Sequence, residues 1–405
     1  MKISTGNQGA LRRRNLSVVL ESLYRHAPIS RIELARLTGL NKATVTNLIN
    51  ELIKNRYVRE TGEGTDKRAG RREVLLGIDP NRGCMISVEI GVGFISAICT
   101  DFTARVIWRQ RDKINELSPK TVLTLVIKLV KKAQKIGEME CGPLQGIAVG
   151  IPGLIDQKSG TLLFAPNLEW KNVAIVASLL KHFDTPIFLE NEANFAALGE
   201  KYFGVAREFE NVLYISAGVG IGGGVIIDGK VHNGAAGYAG EFGHITMDAS
   251  GMLCKCGNTG CWETQASQAA LVREIERALA KKSRKSLMRE FLAADDNKMS
   301  LQNIFEASQR GDVVAIESLK TIGRFLGVGI DSLIKAFNPA VVVFGGRLSL
   351  AADIILPEIR AELGKRGMIE EINQVNVVAA EFGSDAAVMG GVAKVFQEAL
   401  ANPLL

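Results

Sequence analysis

The chain has 405 residues, 47% of them apolar, with 49 Lys and Arg against 43 Asp and Glu. That length exceeds one ordinary core and predicts two or three domains, and the lack of any long uncharged apolar run excludes a membrane span and hence a membrane partner. The charge is unevenly divided: residues 1–78 carry 15 basic and 7 acidic side chains, the rest 34 and 36, so the basic excess sits in the first fifth and points to nucleic acid.

The N-terminus, MKISTGNQGALRRRN, has no apolar signal segment. The six cysteines are therefore expected in a reducing cytoplasm, where thiols hold metals more often than disulfides. Leu16, Leu20 and Leu23 recur at helical spacing and predict a helix over Asn15–His26, broken by Pro28. Ser30 and Glu33 form an S-x-x-E capping box opening a short helix, Arg31–Thr38, and Gly39 suits its left-handed cap. Asn41 caps the next helix, in which Val45, Leu48, Ile49, Leu52 and Ile53 make an apolar stripe.

Helix, glycine turn and amphipathic helix make a helix-turn-helix, whose second helix enters the major groove N-terminus first. Asn41, Lys42, Thr44, Thr46 and Asn47 are the outward candidates for DNA contact. Tyr57–Val58 and Val74–Leu76 read as strands flanking GEGTDKRAGRRE. They suggest a wing whose Arg68, Arg71 and Arg72 reach DNA phosphates; a flexible linker is the alternative reading. The predicted DNA-binding domain is residues 1–78.

Beyond Pro80 strands and helices alternate, giving an α/β body with a mixed sheet. Strands are expected at Met85–Ile90, Phe94–Thr100, Arg105–Arg109, Gly146–Gly150 and Ile187–Glu190. Helices are expected at Thr121–Ile136, Val173–His182 and Ala193–Phe203. A second run follows: strand Val212–Ser216, glycine-rich turn AGVGIGGG (217–224), strand Val225–Asp228, helices to about residue 335, strands Val341–Phe344 and Val375–Ala379, and a last helix, Ala386–Leu400.

Within the second run, GYAGEFGHITMDASGMLCKCGNTGCWE (237–263) places His244, Cys254, Cys256 and Cys261 together. One imidazole and three thiolates make a closed tetrahedral set, so one structural zinc ion per chain is expected. Glu241 and Glu263 flank the ligands, and two carboxylates beside a rigid metal knot suit hydrogen bonding to a polyhydroxylated ligand.

GYAGEFGHI (237–245) and CKCGNTGCWE (254–263) resemble the signature of the ROK family, which unites sugar kinases with sugar-responsive repressors. The resemblance spans about residues 84–400. It implies two actin-like (ribonuclease-H-like) lobes behind a winged helix-turn-helix: a first lobe over 79–190, with residues 385–405 packing back on it, and a second over 191–384 holding the zinc site. LENEANFAALGE (189–200) matches the family segment carrying an Asn and a catalytic Asp, with Asn191 at the Asn and Glu192 at the Asp. By the same matching Asn167, Asn191, Glu192, Glu241, His244 and Glu263 form the sugar-binding set. For Asn191 and Glu192, capping of the helix that follows is an equally local explanation.

ROK kinases open their body with D-x-G-G-T. Here the stretch reads Glu89-Ile-Gly91-Val92-Gly93, without the Asp or the Thr hydroxyl, so phosphate binding is expected to be degraded and no residue is assigned as catalytic. The expectation is a sugar-responsive repressor of carbohydrate genes, cytoplasmic, a homodimer or homotetramer. Its partners would be operator DNA and a monosaccharide effector such as glucose or xylose bound between the lobes. The alternatives are an ATP-dependent sugar kinase carrying a DNA-binding domain, and a regulator sensing a protein through its zinc region.

Overall fold

The computed structural model describes residues 8–63, 73–116, 118–281, 285–294, 299–366 and 375–403. It forms two compact units, one built from 1–149, 175–188 and 391–405, the other from 150–174 and 189–390. Among the described residues no helix is long and apolar enough to cross a membrane.

The first unit begins with three helices, Gln8–His26, Arg31–Thr38 and Lys42–Lys54. Their caps follow from side-chain chemistry. Ser30 accepts from the Glu33 amide, Gly39 closes the second helix at φ 70°, and the Asn41 side chain accepts from the Thr44 amide. The capping box is only half made, because the Glu33 carboxylate turns to Arg36 at 3.0 Å. Leu16, Leu20, Leu23, Leu34, Val45, Leu48, Ile49 and Leu52 are buried as the core of this module. A hairpin, Val58–Glu63 with Val74–Ile78, adds the wing, and Ile29–Ser30 pairs with its return strand. The wing tip, with Arg68, Arg71 and Arg72, lies outside the described residues.

A five-stranded sheet forms the rest of this unit. Its order is Ile187–Asn191, Leu144–Ile151, Cys84–Gly91, Phe94–Asp101, Val106–Lys113, two of the strands running on into the second unit. The helix Pro119–Glu140 lies on it, with Val122, Val126, Val130 and Ala133 buried at helical spacing. The helical stretch expected over Val173–His182 shortens to Ile175–Leu179. An aromatic chain joins the DNA-binding module to the sheet. Tyr24 of the first helix meets Phe396 of the final helix (Ala386–Ala401) at 4.8 Å, Phe396 meets Phe102 at 5.3 Å, and Phe102 meets Tyr57 at 5.8 Å. The Arg82 guanidinium covers the Tyr57 ring at 4.4 Å and donates to its hydroxyl at 3.1 Å.

The second unit holds a hairpin sheet of Leu154–Asp156, Thr161–Ala165 and Trp170–Val173, and a second five-stranded sheet. The latter runs Lys230–Val231, Ile221–Ile227, Val212–Ala217, Val341–Gly345, Asn376–Ala379. In both five-stranded sheets an antiparallel meander of three strands is extended past its first strand by two later ones. That repeated order is the ribonuclease-H-like, actin-type arrangement. Period two divides the strand Val212–Ala217 cleanly. Leu213, Ile215 and Ala217 face a core with helices such as Val313–Phe337 and Ala352–Arg366, while Val212 and Tyr214 face Ala196 and Ala197 of the helix Glu192–Tyr202.

One expectation changes. The glycines of 217–224 are not all turn; Gly222, Gly223 and Gly224 lie within strand Ile221–Ile227. A Cβ on Gly224 would stand 2.7 Å from the Ala193 carbonyl oxygen and one on Gly223 2.1 Å from the Phe242 ring. The glycines therefore let the helix and the GEFGH segment lie flat on the strand.

Gly137 of the long helix faces two buried sulfurs, and a Cβ there would lie 2.6 Å from both Cys84 and Cys99 Sγ. Helix propensity alone favours alanine by up to about 1 kcal/mol, but overpacking a tight core costs about 1–3 kcal/mol. Gly137→Ala is expected to lower stability by about 1–2 kcal/mol, read as a lower urea midpoint; a raised midpoint would show that the sulfurs move aside freely.

Candidate sugar and metal site

All six sequence-assigned sugar residues fall in the second unit. Glu192 opens the helix Glu192–Tyr202, with Asn191 as its cap. The cap geometry occupies Asn191 on both ends: its Oδ1 accepts from the Ala193 amide at 2.8 Å and its Nδ2 donates to the Gly153 carbonyl at 3.3 Å. Capping and site placement are thus the same fact, since the bonds that start the helix also fix where Glu192 stands. Asn167 sits in the turn between Thr161–Ala165 and Trp170–Val173, half-buried.

Glu192, Glu241, His244 and Glu263 form one electrostatic chain. Burial pushes the Glu192 carboxyl up to about 7; its own backbone amide opposes this, while the Glu241 and Glu190 charges add to it. Burial likewise raises Glu241, which His244 partly offsets. His244 Nε2 lies 3.9 Å from Glu241 Oε2, and its Nδ1 lies 3.6 Å from Glu263 Oε1. Two buried acceptors here have no hydrogen-bond partner, Glu192 Oε2 and Asn194 Oδ1. A buried polar atom left unpaired costs about 1–3 kcal/mol.

A polar hub that the sequence reading missed lies behind these groups. Glu190 Oε1 accepts from the Asn191 amide at 2.9 Å and from Asn194 Nδ2 at 3.1 Å; Oε2 accepts from Gln157 and, at 3.4 Å, from Asn233 Nδ2. One carboxylate so ties three separate chain segments together. The available signal was Glu190 and Asn194 at i, i+4 spacing, with Asn194 set in the apolar run Ala193–Leu198.

The metal cluster forms as expected. One ligand atom each from His244, Cys254, Cys256 and Cys261 lies within 4.8 Å of the others. Cys254 Sγ is 3.7 Å from His244 Nδ1, and Cys256 Sγ is 3.7 Å from Cys261 Sγ. The edge of a tetrahedron with metal–sulfur bonds of about 2.3 Å is about 3.8 Å, so the donor set fits such an ion. Gly257, with φ 92°, and Gly260, with φ 70°, turn the loop between the ligands. Glu263 accepts from Cys254 Sγ at 2.9 Å, and a Cβ on Gly220 would lie 2.5 Å from its Oε2. The cluster can hold a metal ion, and the Glu263 carboxylate stands between it and the glycine strand.

At Glu89–Gly93, where a kinase cradles phosphate, the first unit has a tight hairpin: Gly91 pairs with Phe94, and Gly93 turns at φ 80°. The Phe94 ring packs over Gly91, and the Arg111 guanidinium covers that ring at 3.9 Å.

Of the DNA-contact candidates, Asn41, Lys42, Thr46 and Asn47 are exposed and Thr44 is half-buried. Asn41 Oδ1 is spent on the Thr44 amide and the Thr46 hydroxyl donates to the Lys42 carbonyl. Bidentate reading of adenine needs both ends of an Asn side chain, and the cap bond already occupies one end of Asn41.

The ROK family profile matches residues 85–398 and the MarR family profile residues 17–69. A putative xylose repressor from Caldicellulosiruptor sp. (strain Rt8B.4) is 37% identical over 401 residues, covering 98% of this chain and 99% of that protein. A crystal structure of a ROK family transcriptional regulator, a homolog of the E. coli MLC protein, aligns with TM-score 0.82 at 28% identity, covering 97% of both chains. A ROK family glucokinase from Streptomyces griseus, solved with glucose and AMPPNP, aligns with TM-score 0.68 at 31% identity over 76% of this chain and 98% of its own.

The raised Glu192 carboxyl has a consequence for stability. The folded chain keeps this proton until about pH 7, whereas the unfolded chain releases it near the ordinary 4.5. Folded protein therefore binds more protons in that window, and stability falls as pH rises through it, levelling off above. Glu192→Gln removes this contribution and should be the more stable form at about pH 8, by up to about 3 kcal/mol. Parallel unfolding-versus-pH curves for the two proteins would contradict the assignment.

Proposed function

The chain belongs to the ROK family, and from that membership we propose that it is a sugar-responsive transcriptional repressor whose operator binding is set by a monosaccharide held in the second unit. One observation carries the reading: a site with buried, unpartnered acceptors, Glu192 Oε2 and Asn194 Oδ1, stands on the same chain as a winged helix-turn-helix. Hydroxyls of a neutral sugar donate to Glu192, Glu241 and Glu263. A bond to an ionised carboxylate contributes about 1.5–3 kcal/mol and one to a protonated carboxyl about 0.5–1.5 kcal/mol, and an analogue lacking a hydroxyl leaves a buried acceptor unpaired and is rejected. Asn167, Asn191 and His244 complete the set, His244 through Nε2. The relative named a putative xylose repressor makes D-xylose the first sugar to test, followed by glucose.

Zinc is the ion that three thiolates and an imidazole suit. Held by His244 Nδ1, Cys254, Cys256 and Cys261, it would fix the loop that presents Glu241 and Glu263 and lock the histidine's tautomer. It has no place in the chemistry of the sugar itself.

The DNA-reading module is residues 1–78, a homo-oligomer bringing two copies to paired half-sites. Asn47 and Lys42 enter the groove, with Arg68, Arg71 and Arg72 of the wing on phosphates. Sugar acts by linkage: it shifts operator affinity only through its different affinity for the two states of the protein. The second reading, a sugar kinase, is favoured by the similarity to the Streptomyces glucokinase and by a carboxyl raised toward the range of a general base.

In fluorescence anisotropy, DNA from upstream of carbohydrate genes is expected to bind with affinity falling steeply with salt. D-xylose or a related sugar should change that affinity about 5–150-fold. DNA binding that no sugar changes would sink the sensor reading, and sugar-dependent ADP release at about 1 s⁻¹ or faster would establish the kinase. Removing metal with a chelator, or Cys256→Ala, is expected to lower the melting temperature by roughly 5 °C, as about 2 kcal/mol does in a domain of this size. Unchanged melting with no bound zinc by elemental analysis would refute the metal assignment.

A further inference from the structure

The final helix, Ala386–Ala401, is continuous across the boundary between the units, which falls between Gly390 and Gly391. These two neighbouring glycines have different obligations. A Cβ on Gly390 would lie 1.6 Å from the Phe195 carbonyl oxygen, so here the helix rides directly on the backbone of the helix that begins at Glu192. Phe195 is one turn beyond Glu192. A Cβ on Gly391 would lie 2.1 Å from Ser87 Oγ and 2.8 Å from the Ala148 methyl, so here it is seated on the first sheet. Five residues on, Phe396 is buried between Tyr24 of the DNA-binding module and Phe102, which touches Tyr57 at the foot of the wing.

Both ends of this helix are held by contacts with no slack. Backbone against backbone at Gly390 leaves no side chain to absorb a shift of the helix Glu192–Tyr202. Close-packed interiors pass displacement on rather than damp it. At the other end the edge-on contact of Tyr24 with the buried Phe396 fixes the first helix of the DNA-binding module.

We propose that the final helix carries the sugar signal to the DNA-reading module, with Phe396 as the positioning residue at its far end. The proposal rests on the sensor reading above. Movement at the start of the helix Glu192–Tyr202 passes through the Phe195–Gly390 contact, and Phe396 sets the seat of Tyr24 and, through Phe102, of Tyr57.

A double-mutant cycle on the full chain tests this without needing the effector. Operator affinity is measured for wild type, Gly390→Ala, Phe396→Leu and the double variant, with melting curves for each. Gly390→Ala forces the two helices apart and is expected to change operator affinity by about fivefold or more. In the Phe396→Leu background the same substitution should change it less than about twofold. Leucine keeps the site apolar and filled, so a purely structural role for Phe396 predicts a lower melting temperature and the same fold-change in both backgrounds; that result would overturn the proposal, as would a folded Gly390→Ala with wild-type affinity. Should Gly390→Ala not fold, D-xylose and glucose titrated against wild type and Phe396→Leu serve instead. The sugar response should be lost in Phe396→Leu, and an equal response in both overturns the proposal. Failure of the sensor reading shows in wild type itself, whereas failure of the coupling shows only in the variants.

Discussion

Four carboxylates, Glu190, Glu192, Glu241 and Glu263, are gathered in one unit, with the His244 imidazole between two of them. Removing like charges from water is costly, and the surrounding structure answers it residue by residue. Glu190 accepts hydrogen bonds from four donors. Glu192 takes backbone amides at a helix start, worth about 0.3–1 kcal/mol, yet burial still outweighs them and the carboxyl stays raised. Glu263 leans on the thiol cluster, where a bound dication would supply the missing positive charge. What remains is a surplus of acceptors, which selects for a neutral, donor-rich ligand and against an anionic one.

The surplus also bears on the choice between sensor and kinase. Phosphoryl transfer needs positive charge and open backbone amides around the migrating group. In the first unit the hairpin Glu89–Phe94 instead closes upon an aromatic ring stacked under Arg111. The second unit keeps its glycine strand, but those glycines serve packing: Gly223 and Gly224 make room for Phe242 and for the helix behind Glu192. Glycine content that a motif search attributes to phosphate is here required by the site's own scaffold.

What could be read from sequence was local in cause. The helix from Arg31 to Thr38 and the metal cluster were legible because caps and ligands lie within a few residues of one another. The strand pattern of both sheets was legible from apolar runs. Three features were not. The Glu190 hub draws on Gln157 and Asn233, 33 and 43 residues away. Strand Ile221–Ile227 hides under three glycines that mimic a turn. The reach of Glu33 to Arg36 rather than back to the cap depended on a competition between two acceptable partners, which spacing cannot decide. Asn191 lies between the two groups: both of its readings were visible, and one set of bonds satisfies both.

The seat of Tyr24 against Phe396 also imposes an order in time. The two rings are separated by about 370 residues of chain, which a ribosome making about 5–20 residues per second needs roughly 20–75 s to span. Through that interval the three helices of the N-terminal module can be folded while the surface that seats them does not yet exist. A nascent or prematurely terminated chain would then carry a DNA-binding module with no connection to the sugar site, able to reach DNA but deaf to the ligand.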